Sequence, residues 1–169
     1  MNYNKYYNLE DYLFGEVGPN FRKTGALSIE DFFCIVIWKS NRAKTKIREK
    51  MKNGPEESLT ANISALAKDI HTADSNEGRL KDVLMQKWRF SLPMASAILT
   101  VLYPEDYTVY DYRVCGGVGI KGEITTARRY FDEFLPEVIR QGDGETLREK
   151  DKYLWGRSFY RDLQKLISE

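Results

Sequence analysis

At 169 residues the chain is long enough for one domain with a real core and too short for two ordinary ones. Lys and Arg total 26 against 25 Asp and Glu, a formal charge of +1, so global basicity is excluded as a source of nucleic-acid affinity and any such contact has to come from a local patch. The two cysteines, Cys34 and Cys115, lie far apart with no CxxC spacing, which argues against a disulfide framework and against a zinc or iron-sulfur site. No metal and no cofactor is therefore expected. The opening "MNYNKYYNLEDYLF" lacks the basic start, apolar centre and small-residue cleavage site of a signal peptide, and no apolar run approaches about 18 residues. We expect a soluble, cytoplasmic protein with no membrane partner; its oligomeric state is left open.

Helical periodicity dominates and two-residue alternation is sustained nowhere for long, so the expected class is all-α, a single domain of about eight or nine helices. Ser28 with Asp31 three residues on has the form of a capping box and predicts a buried helix over 29–38. "KSNRAKTKIREKMKN" predicts a break and then a basic helix that stops at Gly54-Pro55. Leu59, Ile63, Leu66 and Ile70 mark one amphipathic stripe, and Leu80, Val83, Leu84 and Trp88 mark the next. Pro93, tolerated in a helix's first turn, opens a helix that carries Ala95, Ala97, Ile98, Leu99, Val101 and Leu102 toward Pro104. After Asp111 a short run is expected to break into a loop at "CGGVG", whose three glycines disfavour regular helix. Thr125 is the expected cap of a helix with Ile124, Ala127, Tyr130, Phe131, Phe134, Val138 and Ile139 on one face, bent or shortened by Pro136. "LREKDKYLWGRSFYRDLQKLI" predicts a closing helix with Leu147, Leu154, Trp155, Phe159, Leu163 and Leu166 on packing faces.

Within "SLPMASAILTVLYPEDYTVYDYRV", residues 91–114, an apolar alanine-rich helix leads through a tyrosine-rich link to a single acid, Asp111, before a second apolar run. That acid has two readings. It is either the N-cap of a short helix, worth about 1 kcal/mol, or a carboxylate placed for chemistry. The segment resembles the core of the helix-hairpin-helix DNA glycosylase superfamily, in which a hairpin leads into an alanine-rich helix and the following loop ends in an aspartate. "SIEDFFCIVIWKSNRAKTKIREKM" is similar to the early helix, polar break and following helix of these enzymes, and "LREKDKYLW" to a late helix of their uncharacterised relatives. The resemblance implies a glycosylase-like all-α fold, double-stranded DNA as partner, and Asp111 as the catalytic carboxylate. Such a carboxylate stabilises the positive charge that builds on the sugar as the base departs, or orients the attacking water. A base flipped out of the stack needs aromatic or apolar walls, for which Trp38, Tyr110 and Tyr112 are the candidates, with Tyr103 and Tyr107 beside them in sequence.

Family hairpins carry glycine-x-glycine before the alanine-rich helix. Here those places hold Arg89 and Ser91, so a phosphate contact falls to the Arg89 side chain. Bifunctional members attack the sugar with a lysine two residues before the first alanine of the helix. Pro93 occupies that place, which limits the implied reaction to hydrolysis. In the early break, where glycosylases often place glutamines that interact with DNA, stand Lys39, Ser40 and Asn41.

The implied DNA-binding set is Lys39, Arg42, Lys46, Arg89 and Ser91. Lys39, Arg42, Lys44, Lys46, Arg48, Lys50 and Lys52 form a basic run opposed only by Glu49, which suits a phosphate backbone or, equally, a solvated helix face. Arg128 and Arg129 offer a second basic point. His71 has no cysteine or second histidine to share a metal with, and Ser40 and Ser91 lack an evident base. "GGVGIKG" follows no strand and lacks the lysine-serine ending of a phosphate loop. The reading that competes with a glycosylase is a catalytically silent relative of the fold, serving as a DNA-binding or protein-interaction module.

Overall fold

Helical periodicity is realised from end to end in the computed structural model, which describes residues 3–168 and contains no strand among them. After a short turn at Tyr3–Tyr6, the helices are α1 (9–24), α2 (Ile29–Ser40), α3 (Lys44–Lys52), α4 (Leu59–Thr72), α5 (76–87), α6 (Leu92–Leu102), the short α7 (Tyr112–Gly117), α8 (127–141) and α9 (Leu147–Ser168). Local chemistry sets most starts. Ser28 accepts from the Asp31 amide at 3.0 Å, Ser58 from Ala61 at 3.1 Å and Ser75 from Gly78 at 3.0 Å, each satisfying an amide the first turn leaves unpaired.

Two prolines that interrupt the helical pattern are absorbed by widened turns. In α1 the Gly18 amide reaches back five residues to Leu13, just before Pro19, and in α8 the Leu135 amide reaches Tyr130, just before Pro136. A proline ring clashes with the carbonyl four residues back; widening the preceding turn moves that carbonyl aside and the helix continues. Pro136 therefore neither ends nor shortens α8, which runs on to Gln141.

Three other expectations need correction. The cap of α8 is Thr126, which accepts from the Arg129 amide at 3.3 Å, and Thr125 stands one residue outside. Gly116 and Gly117 belong to α7, closed by bonds from Val118 to Val114 and from Ile120 to Cys115; only Gly119, at φ 86°, uses the freedom of its missing side chain. Trp155, Phe159, Leu163 and Leu166 stay exposed rather than entering the core. Only Asp151 and Leu154 of α9 are buried, because the helix outruns the body it rests on.

The core gathers around α6, where every residue but Pro93 is buried. Helices α1, α2 and α5 pack directly on it, α3 and α4 extend that layer, and α7 and α8 both pack on α9 alongside. The two groups share one continuous apolar core.

Candidate functional site

The segment from Tyr107 to Tyr110, which joins α6 to α7, is buried along its whole length. Backbone groups along it and two tyrosine hydroxyls are held, while the buried Thr108 hydroxyl has no hydrogen-bond partner among the described residues. The Tyr130 hydroxyl accepts from the Thr108 amide at 2.9 Å and donates to the Thr108 carbonyl at 2.7 Å. Ser96 accepts from the Tyr110 amide at 2.9 Å, Lys39 donates to the Tyr110 carbonyl at 3.4 Å, and the Tyr107 hydroxyl reaches the Asn76 carbonyl at 2.8 Å. A buried backbone that cannot reach water needs each of these partners, and the result is a rigid arm with Asp111 at its tip.

Asp111 is the N-cap of α7. One carboxylate oxygen accepts from the Arg113 amide at 2.9 Å, and the other faces Lys39 Nζ at 3.6 Å. The capping reading is thus realised, and the carboxylate also opens on a cleft of about 570 Å³ walled by Trp38, Lys39, Val109, Arg148, Asp151 and Trp155. That volume suits a small organic group. Burial pushes the Lys39 ammonium below its ordinary pKa, against the pull of the Asp111 and Asp151 carboxylates.

Arg148 and Asp151 occupy the floor. Arg148 bonds Asp151 at 2.5 Å and Glu10 at 3.0 Å, and its guanidinium lies over the Trp38 ring at 5.1 Å. Asp151 is 3% exposed. Burial pushes its carboxyl up, opposed by Arg148 and by a backbone hydrogen bond from Val109. Lys152 closes the network on Glu10 at 2.5 Å. The cleft therefore balances three cations against three carboxylates, with two tryptophans at its sides.

The expected site residues divide into three places. Asp111, Lys39 and Trp38 meet at the cleft, so Lys39, with its side chain 15% exposed, faces Asp111 rather than the outer surface. Tyr110 is core: its ring packs on Phe134 at 5.1 Å and its hydroxyl accepts from the Ile124 amide, which leaves it no face for a base. Tyr112 is 71% exposed and does not line the cleft. Arg42 and Lys46 are exposed on the run from α2 into α3.

Arg89 and Ser91 are exposed in the tight turn between α5 and α6. Arg89 stands at φ 53°, the left-handed region that glycine adopts without strain. Lys50 donates to the Arg89 carbonyl and lies over the Phe90 ring at 4.5 Å. Burial lowers the Lys50 pKa, and the charges of Lys46 and Arg89 lower it further, so these three cations form one positive patch. The Ser91 carbonyl starts α6 by accepting from Met94 and Ala95.

Sequence reasoning missed Glu10, Arg148, Asp151, Lys152 and Trp155 as parts of the cleft. The readable signal was an acid, Asp151, set on the same helix face as Leu147, Leu154 and Trp155. No protein-family model, curated protein or solved structure matches the chain. Among the described residues no group of three or more His, Cys, Asp or Glu is placed to hold a metal ion, and no helix is long and apolar enough to cross a membrane.

Proposed function

We propose that the chain is a glycosylase-like DNA-binding protein of the helix-hairpin-helix type, with Asp111 as the carboxylate of a monofunctional base-excision hydrolase. One observation carries this reading: the acid at the family position after the alanine-rich helix ends a pinned segment and opens on a cleft flanked by Trp38 and Trp155. Breaking the bond between base and deoxyribose leaves positive charge on the sugar. A fixed carboxylate opposite that carbon offsets it without moving, and water completes the hydrolysis. The patch of Lys46, Lys50 and Arg89 at the hairpin supplies cations for the phosphate backbone.

The test is binding to a fluorescent duplex bearing an abasic-site analogue, at low and moderate salt, beside an undamaged duplex. Preference for the abasic site with steep weakening by salt is the expected result, followed by turnover on a lesion panel that Asp111→Asn lowers at least about 100-fold. Turnover that survives Asp111→Asn refutes the mechanism. A second reading, a catalytically silent relative that binds DNA or protein, is favoured by the hairpin itself, where Arg89 holds a position that a glycine would leave open to a phosphate. Sustained turnover of a lesion-bearing oligonucleotide excludes it.

A further inference from the structure

The apolar face of the far half of α9 is left uncovered, while Arg157, Ser158 and Asp162 tie its other side to α7. Beyond Leu154 none of its described residues is buried, and the helix carries more exposed large hydrophobic side chains than all other described residues together. At 100° per residue, Trp155, Phe159, Leu163 and Leu166 share an arc of about 80°, which Gly156, Tyr160 and Ile167 widen to about 140°. Arg157, Arg161, Asp162 and Lys165 fall outside that arc. Arg157 reaches back to the Gly117 carbonyl and Asp162 to Arg113. Nearly four turns of helix thus present one uncharged face, stiffened by Trp155 and Phe159 stacked at 5.4 Å.

Gly156 is a second, independent observation. Glycine inside a helix is unfavourable relative to alanine, and a side chain added at Gly156 meets nothing within 4 Å, so no contact inside the chain explains it. Small residues on a helix face let another helix approach closely. When two copies of α9 run antiparallel with the dyad level with Arg161, Leu166 of each stands over Gly156 of the other and Phe159 over Leu163, with Arg157, Arg161 and Lys165 turned outward and Asp162, paired with Arg113, at the edge of the face. Side chains 39% to 71% exposed along this face offer on the order of 800 Å², what one partner contributes to an interface of standard size.

We propose that this face of α9 is the interface of a symmetric homodimer, its occupant the same face of a second copy. The inference stands apart from the glycosylase reading and touches it at one point: Trp155 belongs both to the face and to the lip of the Asp111 cleft, so pairing sets the end of the second copy's helix at the mouth of that cleft.

Sedimentation velocity and light scattering on the full chain from about 1 to 200 µM test it. The expected result is a mass that rises from 19.7 kDa toward twice that value with concentration. Leu163→Glu and Gly156→Leu each weaken the association at least about tenfold, with circular dichroism that shows the fold retained at a dilution where wild type and variants are all monomeric. A wild-type chain that stays monomeric throughout overturns the proposal, including one that instead floats with anionic lipid vesicles. So does a dimer that both variants leave as tight as before.

Discussion

Of the eleven residues of α6 ten are buried; of the twenty-two of α9 two are. Both helices are rich in large apolar side chains, and the difference lies in how these are arranged. In α6 they go all the way round, with no charge anywhere from Leu92 to Leu102, and a helix with no solvent face is stable only in the middle of a fold. In α9 charges recur at every turn. Its first half is fastened by ions, Arg148 and Lys152 on Glu10 and Arg148 on Asp151, and its second half collects its apolar residues on one arc that the chain does not cover. Apolar content says that a surface must be covered; the angular arrangement says whether the chain itself supplies the cover.

The strongest way to break this comparison is to cut the same side chain on both helices. Leu99→Ala, at a site 0% exposed, is expected to cost about 2–5 kcal/mol in urea unfolding, from lost burial and the cavity left behind. Leu166→Ala, at 71% exposed, is expected to change stability by no more than about 0.5 kcal/mol at a dilution where the chain is monomeric. Equal losses would mean that the end of α9 is packed within the chain after all.

A smaller effect sharpens the account of how the first half of α9 is held. Arg148→Met removes the partner of an Asp151 that is 3% exposed, and a buried carboxylate left unpaired is expected to cost about 3 kcal/mol. Adding Asp151→Asn in the same chain removes the stranded charge, so thermal melts of the double variant should recover a large part of the loss. A double variant no more stable than Arg148→Met would place the role of Arg148 in its stacking over Trp38 and its pair with Glu10 rather than in neutralising Asp151.

These contacts show where the sequence was legible. Capping and proline chemistry act within four residues, and so Ser28, the start of α6 at Pro93 and the break after α2 could be read directly. The all-α class followed from periodicity. Two details that failed were local, and the rest depended on distant partners. Gly116 and Gly117 stay helical because bonds from Val118 and Ile120 close the turn around them, and nothing local distinguishes Thr125 from Thr126. Trp38, Lys39 and Asp111 do meet, but Tyr110 turns into the core because Phe134 and the Ile124 amide receive it, while Tyr112 on the other side of Asp111 points to solvent. Asp151 shares an apolar helix face with Leu147, Leu154 and Trp155, yet that signal alone does not place it in the cleft. An acid within a helix reads as solvated, and its burial is decided by Arg148, Val109 and Lys39, two of which lie over forty residues away.

The gentlest test concerns Glu10, where α1 and α9 are tied together. Burial pushes its carboxyl up, yet the hydrogen bond from Lys152 and the charge of Arg148 outweigh burial and hold it below its ordinary value of 4.5. A carboxylate with a lower pKa folded than unfolded adds stability above the ordinary value and loses it as pH falls through the lowered one. Asp151 works in the opposite sense, since burial raises its pKa and the stability linked to it falls as pH rises through the raised value. Asp151 is present in both chains, so the difference between wild type and Glu10→Gln reports Glu10 together with what it does to Asp151 through their shared Arg148. Above about pH 6 the wild type should be more stable by no more than about 1 kcal/mol, as befits a partly exposed pair. That margin should close as pH is lowered from about 5 toward 3. Melting curves that superimpose at every pH would mean that the Glu10 ion pairs add nothing to the anchoring of α9.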